Sequence, residues 1–277
     1  MVYGRVGFDY TTVGHVTLDV MGDGLRRPGG SAFYSALQAA RLGRRALIMT
    51  RGVGSEIEEL LAPYSDELTV ELEEASCTTS FATSGIGRER AQRMLAWAGE
   101  IEAEPVLDTQ VLHLAPVARE TRPGWRGEAR LVGITPQGLL RTWTGPGERV
   151  VLAPLSHEQL PKRCDAAVLN ALERPFCDVL WQRTTTIAVT DEGAPTELRV
   201  PSEEPVLIEV PHVAQMRDDM GAGDVFAAAF FIALAEGKDA RGATAFANAA
   251  AAVRLSGEGP DAVGDRTAIE ARMHTVG

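Results

Sequence analysis

Residues 217–226 read RDDMGAGDVF and lead straight into a long apolar run. The small residues Gly221, Ala222 and Gly223 let the backbone approach a ligand closely and leave the first N–H groups of the following helix unpaired. Together with the helix dipole, these N–H groups form a site for an anion such as a phosphate. Asp224 then falls in the first helical turn, within reach of whatever the N–H groups bind.

Asp224 is open to two interpretations. A carboxylate beside an anion site is costly unless it has a task, and removing a proton from a hydroxyl that attacks a phosphoryl group is such a task. Aspartate is also a common helix cap, and for an isolated GAGD sequence the cap is the simpler interpretation. The choice depends on the motifs that accompany this one.

Short apolar or β-branched runs alternate with helical patterns along the chain, which predicts an α/β fold with a mostly parallel sheet. The predicted strands are residues 8–13, 45–50, 68–72, 78–83, 110–114, 129–134, 166–169 and 186–189. The predicted helices are residues 31–42, 222–236 and 240–255. The last two are rich in alanine with a wide apolar face, and they include Phe226, Phe230 and Phe231, so we expect both to pack against the sheet.

The composition is that of a globular protein: 45% of the 277 residues are hydrophobic and 23% are charged. A net charge of −11 disfavours nucleic acid as a partner, because binding to a phosphate backbone relies on clustered Lys and Arg. The three cysteines form no CxxC pair, and the sequence shows neither a signal pattern nor an apolar run of membrane length. These features predict a soluble, cytoplasmic protein with no membrane partner.

Several common catalytic patterns do not occur in the sequence. There is no GxxxxGK[ST] pattern, which excludes a Walker-type phosphate loop. The HExxH pattern of zinc proteases and the GxSxG pattern of serine hydrolases do not occur either. Residues 52–54, GVG, look like half of a dinucleotide fingerprint, but Ile57 occupies the third glycine position and a plain turn is favoured. His15 and His113 lie in apolar runs, and we interpret both as structural.

Four motifs, in this order along residues 13–260, resemble the ribokinase-like (PfkB-type) carbohydrate kinases. The most specific is GAGD at residues 221–224, which with Asp218 six residues before Asp224 is similar to the family's DTxGAGD signature. The others are similar to the family's N-terminal strand, its diglycine signature and its NxxE motif: residues 13–19, residues 28–30 leading into 39–43, and residues 170–173.

The resemblance implies one domain over residues 1–277, with a three-layer, Rossmann-like, mainly parallel sheet flanked by helices. A small β lid would come from about residues 18–30 and 68–98. The implied activity is transfer of the γ-phosphoryl group of ATP, with Mg²⁺, to a hydroxyl of a small sugar, polyol, inositol or nucleoside. The resemblance also allows a homodimer.

The resemblance implies a role for particular residues. Asp224 would be the general base, and the backbone N–H groups of Gly221, Ala222 and Gly223 would hold the transferring phosphoryl group. Glu173 would organise Mg²⁺. The implied substrate-binding residues are Asp19, Gly29, Gly30 and, at the position of the family's sugar-binding asparagine, Tyr34. The implied nucleotide-binding residues are Asn170, Thr190, Gly193 and Asn248. Arg90, in the expected lid segment, is interpreted either as a ligand of substrate hydroxyls or phosphate or as a solvated polar residue.

The sequence departs from the family pattern at several points. Asp219 replaces the Thr of DTxGAGD, and Tyr34 replaces an asparagine that binds sugar in ribokinases, which argues against ribose. Only nine residues separate Asp19 from Gly29, so we expect a shortened lid. Residues 190–193, TDEG, resemble the family's nucleotide loop without its regular glycine spacing.

Two alternatives stay open at this stage. The irregular nucleotide loop and Asp219 are also compatible with a catalytically weak or inactive protein that binds a nucleotide or metabolite on the same fold. The retained Asp224 favours the kinase, since a binding protein gains nothing from a carboxylate beside a phosphate. Asn248, on the last long helix, is interpreted either as an adenine contact or as a surface or capping residue.

Overall fold

The computed structural model describes residues 7–22, 24–104 and 106–273. The strands are β1 (Phe8–Val13), β2 (Thr17–Met21), β3 (Arg26–Gly29), β4 (Ala46–Gly52), β5 (Leu68–Glu74), β6 (Ser80–Ser84), β7 (Ala91–Ala96), β8 (Val106–Leu114), β9 (Arg126–Ile134), β10 (Arg141–Thr142), β11 (Val151–Leu152), β12 (Cys164–Asn170), β13 (Thr184–Asp191), β14 (Ala194–Arg199) and β15 (Val206–Ile208). The helices are α1 (Ser31–Arg41), α2 (Gly54–Leu61), α3 (Gln137–Leu140), α4 (Ala222–Ala235), α5 (Ala240–Leu255) and α6 (Arg266–Met273).

Nine of these strands form one twisted sheet in the order β15-β14-β13-β12-β9-β8-β1-β4-β5. Every pair from β13 to β5 is parallel, and only β14 and β15 run antiparallel to their neighbours. From β1 the chain builds outward through β4 and β5, and it then returns to the other side of β1 with β8. Ligand sites of open α/β sheets lie beyond the carboxyl ends of the strands at such a reversal.

The helices are distributed unequally over the two faces of the sheet. Helices α1, α2, α4, α5 and α6 contribute to one apolar core, in which α4 is almost entirely buried. Phe226, Phe230 and Phe231 lie in this core, as predicted. The opposite face is covered by α3, short 3₁₀ turns and loops, through residues such as Leu140 and Leu180. The predicted α/β fold is confirmed.

A separate four-stranded sheet, which we call the small sheet, has the order β3-β2-β6-β7. Its strands overlap both segments from which we expected the lid, residues 18–30 and 68–98, with one difference in the second segment. Residues 68–74 form β5 and pair in parallel with β4 over the full length of both strands, so they belong to the large sheet. The second part of the small sheet therefore begins at Ser80.

The turn at residues 52–54 closes on the chain itself. The N–H of Val53 donates to Thr78 Oγ1 at 3.1 Å, and the N–H of Gly54 donates to Glu74 Oε2 at 3.3 Å. With these donors occupied, the turn is structural, as the sequence indicated. Among the described residues, every helix is too short or too polar to cross a membrane.

Gly133 on β9 provides a test of the packing between the sheet and α4. A Cβ atom at this position would lie 2.6 Å from the ring of Phe231. We expect Gly133→Ala to lower the free energy of unfolding by about 1–3 kcal/mol, because the buried ring has to move. Urea unfolding measures the change. Gly145→Ala is the matched control, since nothing lies within 4 Å of its added Cβ; equal effects in the two variants would contradict this packing.

Candidate active site

The N-terminus of α4 is set by the conformation of Gly221. Gly221 has φ 75°, in the left-handed region, and its carbonyl accepts from the N–H of Val225 at 2.9 Å to close the first turn. A Cβ atom at Gly221 would lie 2.2 Å from the ring of Tyr34. Only glycine fits this position, both for its backbone angle and for its contact with the ring.

The first turn of α4 presents open hydrogen-bond donors. In the described ranges, the N–H groups of Gly223 and Asp224 donate to no protein acceptor, whereas the N–H of Ala222 donates to the Asp219 carbonyl at 3.3 Å. Gly223 is exposed, and nothing lies within 4 Å of where its Cβ would be. The helix terminus therefore has both the donors and the room to bind an anion.

Asp224 does not act as the helix cap. The N-cap is Gly221, without a side-chain cap hydrogen bond, and Asp224 Oδ1 instead accepts from Gln137 Nε2 at 3.4 Å. Burial raises the pKa of Asp224 to about 6, while Ser31, Arg141 and Arg90 act to lower it. A carboxyl that titrates near neutral pH is suited to acid–base chemistry.

Asp19 on β2 is the second carboxylate of the site. It is 4% exposed, and Thr17 Oγ1 donates to its Oδ1 at 3.0 Å. Burial raises the pKa of Asp19 to about 6, and the charge of Asp224 acts in the same direction. A Cβ on Gly29 would lie 2.2 Å from Asp19 Oδ2, which explains the first glycine of the diglycine motif. Gly30, with φ 94°, leads into α1.

Asn170 and Glu173 form a self-bonded turn at the carboxyl end of β12. Asn170 Oδ1 accepts from the N–H groups of Leu172 at 2.9 Å and Glu173 at 3.0 Å. In return, Glu173 Oε2 accepts from the N–H of Asn170 at 3.0 Å. Burial raises the pKa of Glu173 to about 7. The NxxE motif therefore holds a buried carboxyl at the same edge of the sheet as Asp224.

The predicted nucleotide-binding residues divide into two groups. Thr190 pairs in register with Asn170, and Gly193 follows in the exposed β13–β14 turn with φ 86°. Asn248 lies elsewhere: it is 2% exposed, accepts from Thr196 Oγ1 at 2.7 Å and donates to two carbonyls of the β15 region. Because its amide is used in this way, Asn248 ties α5 to the sheet.

Tyr34 is enclosed behind the loop that precedes α4. It is 1% exposed, and its ring packs against Gly221 and lies 5.6 Å from the Arg254 guanidinium carbon. We assign Tyr34 to the support of the α4 loop rather than to substrate contact, because the ring is enclosed behind that loop.

Arg90 enters the site from the small sheet. Its guanidinium pairs with Asp219, and the N–H of Gly87 donates to Asp219 Oδ2 at 2.7 Å. The acid that replaces the family threonine therefore anchors the β6–β7 turn to the loop before α4. Arg88, in the same turn, pairs with Asp191 at 2.6 Å and Glu192 at 3.4 Å in the β13–β14 turn.

Two residues of this site, Gln137 and Arg141, are absent from the sequence predictions. They begin and follow α3, directly after β9. Burial lowers the pKa of Arg141, and the charges of Glu173, Asp224 and Asp19 oppose that effect. One guanidinium is therefore placed among all three carboxylates. Neither residue belongs to a motif. Their four-residue spacing was the only feature of the sequence that could have indicated a contact between them.

The buried histidines are structural, as predicted. His113 lies between the Tyr10 hydroxyl at 2.7 Å and Thr135 Oγ1 at 3.0 Å, and burial lowers its pKa to about 3. His15 Nδ1 lies 2.8 Å from Thr79 Oγ1. Both rings are thus engaged in packing and hydrogen bonds beneath the site.

The chain offers a limited set of metal ligands. No group of three or more His, Cys, Asp or Glu side chains is arranged to hold a metal ion in the described part of the chain. Mg²⁺ usually keeps several waters and binds through one or two carboxylates plus substrate phosphates. The buried Glu173 carboxyl fits that mode of binding, in which the donor supplies the remaining ligands.

Residues 201–265, which contain the α4 loop, match the family described as pfkB family carbohydrate kinase. The predicted resemblance to the PfkB-type kinases is confirmed. This family match indicates a phosphotransferase. No curated protein shows a significant match to the sequence.

Solved structures of ribokinase-family proteins share the fold over nearly the whole chain. A pyrophosphate-dependent ribokinase-family kinase, complexed with a pyrophosphate analog and myo-inositol, has a TM-score of 0.74 at 21% identity and covers 95% of this chain and 99% of its own. Ribokinase of Arabidopsis thaliana, complexed with ribose and ATP, has a TM-score of 0.70 at 16% identity, with 97% and 99% covered. The nucleoside kinase of Methanocaldococcus jannaschii has a TM-score of 0.70 at 17% identity, with 97% and 99% covered.

Asp218 anchors the α4 loop to the end of α5. Arg254, whose side chain is 0% exposed, donates to Asp218 Oδ2 at 2.8 Å, and the N–H groups of Met220 and Gly259 donate to the same carboxylate at 2.9 and 3.0 Å. Burial acts to raise the pKa of Asp218, but these donors outweigh it and hold the pKa below its usual value.

We expect Asp218→Asn to lower the free energy of unfolding at pH 7 by about 3–5 kcal/mol, because it leaves the Arg254 charge buried and unpaired. The difference from wild type should begin to shrink below about pH 4, where the Asp218 carboxyl of the unfolded chain protonates, and should shrink further as the native carboxyl, whose pKa is lower, protonates too. Denaturant unfolding across this pH range measures both effects. Glu104→Gln, which breaks an exposed pair with Arg126, is the control and should change stability by less than about 1 kcal/mol. An equally small effect at Asp218 would refute the anchoring role.

Proposed function

We propose that this PfkB-type protein transfers the γ-phosphoryl group of ATP to a hydroxyl of a small sugar, polyol, inositol or nucleoside. The observation that carries the proposal is the Asp224 carboxyl at the open N-terminus of α4. The first turn of α4 thereby carries both a general base, Asp224, and two N–H groups that donate to no protein acceptor, those of Gly223 and Asp224. Asp19 supplies a second carboxylate on the small-sheet side of the same site.

In the proposed reaction, Asp224 accepts the proton of the acceptor hydroxyl. The hydroxyl oxygen forms a bond to the γ-phosphorus as the bond from that phosphorus to the bridging oxygen of ADP breaks, and ADP leaves with the electron pair. The N–H groups of Gly223 and Asp224 donate to the oxygens of the transferring group, where charge is spread in the transition state. Asp224 then returns its proton to solvent.

When bound, Mg²⁺ would supply positive charge that offsets the charge of the donor's phosphates. Glu173 is the residue that would hold it, either directly or through a water. The Asn170 N–H keeps one oxygen of this carboxylate in place, which leaves the other oxygen for the ion.

The acceptor is proposed to bind beside Asp19. A buried carboxylate accepts hydrogen bonds from hydroxyls, so the site favours a polyhydroxylated molecule over an apolar one. Because residue 29 is glycine, no Cβ atom crowds Asp19 Oδ2 at this position. Since one neighbour was solved with myo-inositol, that compound is the first acceptor to test, followed by sugars and nucleosides.

Pyrophosphate is a second candidate donor. The ion pairs from Arg88 to Asp191 and Glu192 carry the β6–β7 turn onto the β13–β14 turn, where the family's nucleotide loop would lie. Pyrophosphate has no nucleobase, so it needs no nucleobase pocket at the β13–β14 turn. One solved neighbour is a pyrophosphate-dependent kinase, which makes this donor a direct comparison for ATP.

Asp224→Asn tests the proposal directly. Phosphorus NMR of the wild type with Mg²⁺, myo-inositol and either ATP or pyrophosphate should show a new phosphomonoester signal. We expect the variant to lower kcat by roughly 10²–10⁴-fold with little change in donor affinity, because it loses the base and keeps the N–H donors. Wild-type kcat should fall as the pH drops through about 6, since the base must be unprotonated.

Three results would decide between the candidates. Product from ATP, lost in the variant, supports the leading proposal, and product from pyrophosphate alone supports the second donor. If the donor binds and a full panel of sugars, polyols, inositols and nucleosides gives no product, the protein is a binding protein of this fold. A kcat unchanged by Asp224→Asn would remove Asp224 from the role of base.

Glu173→Gln tests the metal assignment. We expect the variant to need about tenfold more Mg²⁺ for half-maximal activity, because the neutral amide is a poorer ligand for a hard cation. Titration of the initial rate with MgCl₂ measures this requirement. Glu158→Gln, in an exposed 3₁₀ turn, is the control. An unaltered requirement in Glu173→Gln would show that the carboxylate does not serve the metal.

A further inference from the structure

We propose that Gln137 and Arg141 are positioning residues for Asp224, with Arg141 acting through the side-chain amide of Gln137. The inference rests on the proposed function, since it assigns a task to the group that aligns the base. It concerns two residues that no motif of the chain includes.

The hydrogen bonds define a relay between the three side chains. Gln137 Nε2 donates to Asp224 Oδ1 at 3.4 Å and to Ser31 Oγ, while Gln137 Oε1 accepts from Arg141 Nη2 at 3.3 Å. A carboxylate only accepts and a guanidinium only donates, so these partners fix which end of the amide faces which residue. The relay therefore has a single orientation, with its N–H donors toward Asp224.

Arg141 is itself held in place from two further directions. Its Nη1 donates to the Val117 carbonyl at 3.0 Å, and its guanidinium carbon lies 5.5 Å from the centre of the Phe81 ring on the small sheet. Val117 is fixed in turn, because its N–H donates to the buried carboxylate of Glu120 at 2.8 Å. The guanidinium thus has little freedom, which makes it a fixed support for the amide.

Arg141 also differs from the other cation near Asp224. Arg90 pairs directly with Asp219, so much of its charge is neutralised. Arg141 makes no ion pair with a carboxylate in the described ranges, although it lies among three of them. The charged and titratable groups that face Asp224 are the cations Arg141 and Arg90, the acids Asp19 and Glu173, and Tyr10.

The relay predicts a distinct kinetic pattern, measured by initial rates with Mg²⁺ and the acceptor and donor that the wild type uses. Gln137→Ala and Arg141→Met should each lower kcat by about 10–100-fold and change either KM by less than about threefold, because a misaligned base slows the chemical step more than it weakens binding. If Arg141 acts through Gln137, the double variant should lose no more than about threefold beyond Gln137→Ala.

Gln137→Glu gives a second readout that keeps the size of the side chain. The new carboxylate still accepts from Arg141 but repels Asp224, so the acid side of the kcat–pH profile should move to higher pH by about one unit. Arg141→Lys should recover part of the activity lost in Arg141→Met. Arg126→Met, which removes an exposed arginine at the opposite end of β9, is the matched control and should behave as wild type.

The outcomes separate the relay from the proposed function. Absence of turnover in the wild type would overturn the proposed function and the relay with it. With an active wild type, multiplied losses in the double variant would show that Arg141 acts independently of Gln137, and unchanged kcat in the single variants would refute the relay. Circular dichroism and thermal unfolding show whether each variant is folded.

Discussion

The structure depends on the close contact between Gly221 and the ring of Tyr34. This contact allows no side chain at residue 221 and coincides with a left-handed backbone, so α4 begins at Ala222 and at no earlier residue. The position of Asp224, the direction of its carboxyl and the open N–H groups all follow from that starting point. The Asp218–Arg254 pair holds the loop against α5 from the other side.

A second constraint is the number of acids that meet at the carboxyl ends of the strands. Burial raises the pKa values of Asp19, Glu173 and Asp224, and the charge of Asp224 adds to the effect on Asp19 and Glu173. The chain has only two lysines, so arginines supply the balancing charge. Arg141 lies among the three acids, and Arg90 arrives on the small sheet. A donor's phosphates and a cation would complete this balance when they bind.

Local sequence was sufficient to predict the parallel strands of the large sheet and the long helices α4 and α5. The inner strands β4 and β12 are mostly apolar because both of their faces are buried. Strands such as β7, β14 and β15 escaped prediction, since their pattern is polar or their length short and their pairing depends on distant partners. Residues 68–74 were placed in the lid because a strand pattern does not show which sheet it joins.

The sequence was sufficient to predict those parts of the site that belong to a recognisable motif. The GAGD turn, the diglycine pair and the NxxE turn lie where the sequence placed them, but the individual roles of Tyr34 and Asn248 did not follow from position. Both side chains are enclosed by elements far away in the sequence, which spacing alone does not reveal. Arg141 was missed for the same reason, because it becomes part of the site only when β9, β12 and α4 come together.

The central claim is that the N-terminus of α4 holds the group in transfer. A crystal structure of the protein with ADP, Mg²⁺ and aluminium fluoride tests it most directly, since the fluoroaluminate stands in for the transferring phosphoryl group. We predict fluoroaluminate within about 2.7–3.1 Å of the N–H groups of Gly223 and Asp224, with Mg²⁺ on the side of Glu173. Fluoroaluminate bound away from this turn, in a crystal where the turn is accessible, would contradict the account.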